Sequence, residues 1–186
     1  MNMLYKFGLM ALVFSFLAAA PVFAEEQDSL AKPRHTVYVI AIQDMVSPAS
    51  DRRLQKGLES AQEQDADAVI LDLNTYGGMV ESADSMRQRL LNFPKPVWAF
   101  VNPNAASAGA LISIACDSIY MAPSSSIGAA TVVMGESGEA APDKYQSYMR
   151  GLMRATAETN GRNPKIAEKM VDQNLDLPGI SPEGPK

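Results

Sequence analysis

Ser107 stands in residues 102–115, N-P-N-A-A-S-A-G-A-L-I-S-I-A, where a polar, turn-forming start passes through small residues into an apolar run. A serine where a loop becomes a helix has its hydroxyl near free backbone N–H groups and the positive end of the helix dipole. Small neighbours leave room for a substrate backbone to approach. That is a setting for nucleophilic chemistry. The same residues also describe an N-cap serine ahead of a small-residue packing face, and the stretch alone does not separate the two.

A second feature, Gly77-Gly78 in N-T-Y-G-G, follows an apolar run that reads as a strand. Double glycines after strands are often tight turns. Glycine also lets a backbone come close to a bound carbonyl, so Gly77 and Gly78 are candidate substrate-binding positions. A Gly78 N–H facing the N–H of Ala108 would form an oxyanion hole. The chain contains neither a G-x-G-x-x-G dinucleotide fingerprint nor a Walker A loop.

A serine nucleophile needs a base. His35 is the only histidine and lies in a polar stretch ahead of the first strand, which makes a Ser-His-Asp triad implausible. A lysine can take the serine proton and return it to the leaving group when desolvation leaves it neutral. Downstream of Ser107 the lysines are Lys144, Lys165, Lys169 and Lys186. Lys165 and Lys169 fall with Glu168 on a charged helical surface, and Lys186 is terminal. Lys144 opens the amphipathic segment 143–160 directly after a polar loop at 134–142. Taken alone it reads as a solvated first-turn lysine beside Asp143, and spacing does not pair it with Ser107. Cys116, the only cysteine, sits in an apolar setting as a buried small hydrophobe, and with one histidine and one cysteine a multi-ligand His/Cys metal site is excluded by counting.

The elements that must position these residues alternate. Residues 37–42 form an almost continuous apolar run, expected as a strand buried on both faces, and Ser47-Pro48 reads as an N-cap and first helical position of a helix to about Gln64. Strands are expected at 68–74, 97–101 and 118–121, with a further extended segment at 127–133 and a helix at 80–91. Alternation with short connections implies an α/β fold with a mainly parallel sheet and right-handed crossovers. In such sheets ligands gather at the carboxyl ends of the strands, where both Gly77-Gly78 and Ser107 fall.

The 186 residues, 47% hydrophobic and 20% charged, suit one globular domain at 37–186. A net charge of -5 argues against nucleic acid and against a polybasic membrane-surface module. Residues 1–24 read as a signal peptide: Lys6, an apolar run at 7–20, and Val22-Phe23-Ala24 before Glu25-Glu26. Export beyond the cytoplasm is expected, with 25–36 as a linker.

The set V-I-L-D-L-N-T-Y-G-G, F-V-N-P-N-A-A-S-A-G-A-L-I-S-I-A-C-D, S-I-G-A-A, A-P-D-K-Y and A-E-T-N-G-R-N resembles the NfeD-type membrane-bound serine proteases, the stomatin operon partner proteases of the ClpP/crotonase-like superfamily. The resemblance spans nearly all of 37–180. It implies a ClpP/crotonase-like spiral of β-β-α and βαβ units, with Ser107 as nucleophile, Lys144 as general base and Gly78 and Ala108 at the oxyanion hole. It further implies serine endopeptidase activity without a cofactor on apolar peptide segments, notably of a stomatin-like membrane protein, and self-association as dimers or larger assemblies. Tyr76 departs from the family's usual proline. Relatives continue past a segment like I-S-P-E-G-P-K, so the chain is expected to be truncated at its C-terminus, with membrane association residing in the missing part. Two other readings use the same groove: a non-catalytic peptide-binding module, and a crotonase-like acyl-CoA enzyme with the two N–H donors on a thioester.

Overall fold

The computed structural model describes residues 35–135 and 138–177. The expected signal peptide and the C-terminal residues 178–186 lie outside them. Six β/α elements come first in strict alternation: β1 (Val37–Ile42), α1 (Pro48–Glu63), β2 (Ala68–Thr75), α2 (Val80–Leu91), β3 (Val97–Ala106) and α3 (Ala108–Ile114). They are followed by β4 (Ser118–Met121), β5 (Ser126–Gly128), β6 (Val133–Met134), β7 (Glu139–Ala140), α4 (Asp143–Thr159) and α5 (Pro164–Lys169).

Local chemistry starts two of these helices, α1 as the sequence suggests. Ser47 caps α1 through a reciprocal capping box with Ser50, and Pro48 fills the first turn, where its missing N–H costs nothing. Asn163 accepts from Lys165 N at 2.9 Å to cap α5 ahead of Pro164. Asp51 of α1 receives Arg89 Nε at 3.0 Å and Ser85 Oγ at 2.9 Å, which ties α1 to α2.

The strands β1-β2-β3-β4 lie side by side in that order and all pair in parallel, and β5 pairs with the carboxyl-terminal end of β3. A sheet laid down in chain order by right-handed crossovers carries its helices on one face. On that face Ile40, Leu71 and Ala99 stand in register, as do Ile42, Leu73 and Val101, and all six are buried. Leu54 and Leu58 of α1, Met86 of α2, and Leu111 and Ile112 of α3 complete the core with them.

The opposite face is open, which corrects the expectation for β1. Val39 is 60% exposed while its neighbour Ile40 is 4% exposed, so β1 is buried on one face only. The same open face carries Ile70, Trp98 and Phe100, each half-buried, and exposed Tyr120. An unbroken apolar run therefore did not mean two covered faces. The expected extended segment at 127–133 is also divided: β5 ends at Gly128, and β6 begins at Val133. β6 pairs antiparallel with β7, so part of the expected polar loop at 134–142 is in strands.

Candidate active site

β3 runs directly into α3, and Ser107 is the single residue between them. Its backbone has φ 54° and ψ -118°, a conformation that costs a residue with a Cβ of order 1–3 kcal/mol and persists only where its surroundings enforce it. The surroundings are visible. Ser107 N donates to Gly128 O at 2.7 Å, Ala106 is paired with Gly128 in the β3–β5 ladder, and Ser107 O accepts from Ala110 N at 2.9 Å. The side chain makes no capping hydrogen bond, so its hydroxyl is not spent on the helix.

The glycine loop packs against this serine from the end of β2. Gly77 has φ 106°, and a Cβ there would lie 2.5 Å from Ser107 Cβ and 3.0 Å from Oγ. Only a hydrogen fits. Its N–H is already taken by Thr75 Oγ1 at 3.1 Å, so Gly77 contributes space rather than a donor. Gly78, at φ 154°, is pressed against Val46, whose carbonyl oxygen a Cβ would approach to 2.1 Å. Val46 holds the loop from both sides, donating to Gly77 O at 2.8 Å and accepting from Met79 N at 2.9 Å. The N–H groups of Gly78 and Ala108 donate to nothing among the described residues.

Lys144 stands in the first turn of α4, exposed, with Nζ 4.8 Å from the centroid of the Tyr145 ring. It makes no hydrogen bond to Ser107. Asp143 pairs with Arg150 at 3.3 Å instead of with its neighbour. Lys144 lines a cavity of about 800 Å³ whose opposite wall is Val80 and Glu81 at the start of α2, two and three residues beyond Gly78. Val132, Ala141, Tyr145 and Tyr148 supply its apolar lining. A second cavity of about 390 Å³, between Met45 and Tyr76, reaches the glycine loop from the β1 side. The structure thus brings Gly77 and Ser107 into contact and sets Lys144 across a cavity from the start of α2.

The other singled-out residues take structural places. Cys116 is fully buried and unpaired, and burial pushes its thiol up to about 12 despite the opposing field of Arg162. His35 is exposed, 3.6 Å from Asp67. Lys169 donates to the carbonyls of Gln173 and Leu175 and so closes the end of α5 rather than facing solvent only. Among the described residues no cluster of His, Cys, Asp and Glu could hold a metal ion.

Three supporting residues escaped the sequence reading. Thr75 is buried, anchors Gly77, and places its Cγ2 where a Cβ on Gly109 would come within 2.7 Å. Gly128 supplies the carbonyl that holds Ser107, and Val46 holds the loop. Thr75 stands two residues before Gly77, but Val46 and Gly128 lie far in the chain from the Gly77 and Ser107 that they hold. Asn74 Oδ1, at the same strand end, is buried with no partner among the described residues.

A parallel sheet wound in chain order, with a strained serine at a strand–helix junction against a glycine loop, defines an α/β protein of the ClpP-like class. ClpP1 from Listeria monocytogenes shares the fold, with a TM-score of 0.59 over 75% of this chain and 82% of its own, at 19% identity. Residues 36–185 match the family model described as NfeD1b, N-terminal domain, and the chain belongs to that family. The membrane protein NfeD1b of Bacillus subtilis is 41% identical over 152 residues, covering 81% of this chain and 35% of its own length. The membrane-bound protease PH1510 of Pyrococcus horikoshii is 29% identical over 176 residues, covering 91% of this chain and 38% of its own. The chain thus spans little more than a third of the length of these curated relatives.

Among solved structures, the 1510-N membrane-bound stomatin-specific protease is similar in a serine-to-alanine form, with a TM-score of 0.72 and 30% identity over 81% of this chain and 75% of that one. Its lysine-to-alanine form, in complex with a substrate peptide, gives the same score and identity over 78% and 70%.

Proposed function

We propose that this chain is the protease domain of a membrane-associated serine endopeptidase, with Ser107 as nucleophile and Lys144 as general base. The observation that carries the reading is the state of Ser107. Its hydroxyl makes no cap, its backbone is held at positive φ, and the N–H groups of Ala108, next in the chain, and of Gly78 in the glycine loop are uncommitted among the described residues. An N-cap serine would spend its oxygen on the helix.

In this mechanism the neutral Lys144 amine takes the Ser107 proton as Oγ attacks the scissile carbonyl carbon. The carbonyl oxygen becomes the oxyanion held by the Gly78 and Ala108 N–H groups, where preorganised donors are worth most. The C–N bond then breaks and Lys144 gives its proton to the leaving amine. Water, deprotonated by Lys144, attacks the acyl carbon and releases Ser107 with the second product. Lys144 must leave the Tyr145 ring for these steps. An apolar substrate filling the cavity between Val80 and Tyr148 would exclude water from the amine and favour that movement.

The substrate class follows from the rim. Met45, Tyr76 and Met79 are exposed on the glycine-loop side, and Val133, Met134, Tyr145 and Tyr148 on the side of Lys144. Exposed large apolar side chains on both sides of the glycine loop suit an apolar peptide. The name of a solved relative, a membrane-bound stomatin-specific protease, supports a stomatin-like membrane protein as its source; export through the signal peptide at 1–24 and assembly of several copies belong to the same proposal. A serine-directed fluorophosphonate tests the reading: we expect one adduct on Ser107, located by mass spectrometry and absent from Ser107→Ala. No adduct on a folded wild-type protein favours the acyl-CoA or binding-module readings.

A further inference from the structure

We propose that Arg162 and Asn160 are positioning residues that set the helix bearing Ser107 relative to the helix bearing Lys144; the inference rests on the protease reading for its catalytic consequence.

α3 has seven residues, about 10 Å of helix, too short to hold itself in water. Ser107 sits at its N-terminus, so any tilt or slide of α3 displaces the nucleophile and the Ala108 N–H together. The last carbonyl of the helix, Ile114 O, has no helical partner of its own. It is met from the turn after α4, as are the carbonyls of Cys116 and Asp117 just beyond the helix. Asn160 Nδ2 donates to Ile114 O at 2.9 Å and to Cys116 O at 3.3 Å. Arg162 Nη1 donates to Ile114 O at 3.1 Å, and Nη2 reaches Asp117 O at 3.1 Å. Four hydrogen bonds from two side chains therefore close three carbonyls, and the guanidinium places a positive charge at the negative end of the helix dipole.

The donors are themselves fixed. Asn160 is the C-cap of α4, Gly161 turns the chain at φ 66°, and Arg162 N donates to Ala157 O at 2.7 Å. α4 is the helix that carries Lys144 in its first turn. The clamp joins the last turn of the base-bearing helix to the last turn of the nucleophile-bearing helix, and Asp117 fastens the same point to the sheet through Val97 N at 2.7 Å. The two catalytic groups lie at the opposite ends of the helices that this clamp ties together. Lysine at 162 would keep the charge but lose the planar fork that spans two carbonyls.

The test compares wild type, Arg162→Ala, Arg162→Lys and Asn160→Ala in peptide cleavage, in hydrogen exchange and in thermal unfolding. Displacing a reacting group by about 1 Å can cost about 100-fold. We expect Arg162→Ala to lower kcat about 10- to 100-fold with KM within about threefold, Arg162→Lys to recover only part of the loss, and Asn160→Ala to fall between. Independently of activity, the Ala110 amide, bonded to Ser107 O at the serine end of α3, should exchange faster in Arg162→Ala by a larger factor than the Leu71 amide of the core. Equal acceleration at Ala110 and Leu71 would mean global destabilisation and would overturn the proposal whether or not the wild type cleaves. So would an unchanged kcat in an active protein. A wild type without cleavage but with selective loosening of Ala110 would retain the clamp and reject the protease reading.

Discussion

At the scale of single residues, Ser107 and Gly77 define one another. The serine keeps a left-handed backbone because β5 holds its N–H through Gly128, and it fits there because Gly77 has no side chain. Gly77→Ala would place a carbon 2.5 Å from Ser107 Cβ at a φ that disfavours any side chain, so something must shift. We expect a loss of about 1–3 kcal/mol of stability in urea unfolding and about 100-fold slower fluorophosphonate labelling of Ser107. Labelling at the wild-type rate would show that the contact does not position the serine. Cys116 gives a pH-dependent prediction. Burial raises its folded thiol to about 12 from the ordinary 9.0, so between these values the unfolded chain has released a proton that the folded protein still holds. Stability therefore falls as pH rises from about 9 to about 12, more steeply in wild type than in Cys116→Ala. Parallel stability–pH curves for the two proteins would contradict this. The same buried thiol should resist thiol reagents at neutral pH until the protein unfolds.

Among the elements, the strand–helix alternation was legible because each piece carried its own signal: the Ser47-Pro48 start of α1, the glycines after β2, the apolar run into α3. Sidedness was not. Residues 37–42 are apolar at every position, and nothing in that run says that Val39 meets solvent while Ile40 meets α1. Only the winding of the chain, with the helices on one face, decides it. β1 offers a direct check. Val39→Lys should change stability by no more than about 0.5 kcal/mol, whereas Ile40→Lys, which buries an unpaired charge against Gly57 of α1, should cost several kcal/mol or prevent folding. Equal damage from both would mean that the open face is covered in the folded protein. The length of β3 was also hidden: it continues through Pro103 to Ala106, because β5 supplies a partner that lies more than twenty residues further along the chain. That continuation makes Ser107 a strand–helix junction rather than the end of a loop.

For the whole molecule, the fold brings part of the suggestive set together. Two strand ends bring Gly77 and Ser107 together, and α4 brings Lys144 to a cavity that opens beside the same loop. The sequence could place a lysine at the start of a helix but not show where that helix packs, and even in the structure Lys144 rests on Tyr145. No helix among the described residues is long and apolar enough to cross a membrane. In the proposed protease, Ser107 cleaves the peptide with Lys144 as its base. The most direct measurement is turnover of an apolar peptide mixture by wild type, Ser107→Ala and Lys144→Ala, each checked for folding by its unfolding midpoint. We expect cleavage by wild type, a loss of about 10⁴-fold or more for Ser107→Ala, and a loss of about 10²- to 10⁴-fold for Lys144→Ala. Folded wild type that cleaves nothing, or a Ser107→Ala protein that cleaves as fast as wild type, would contradict it.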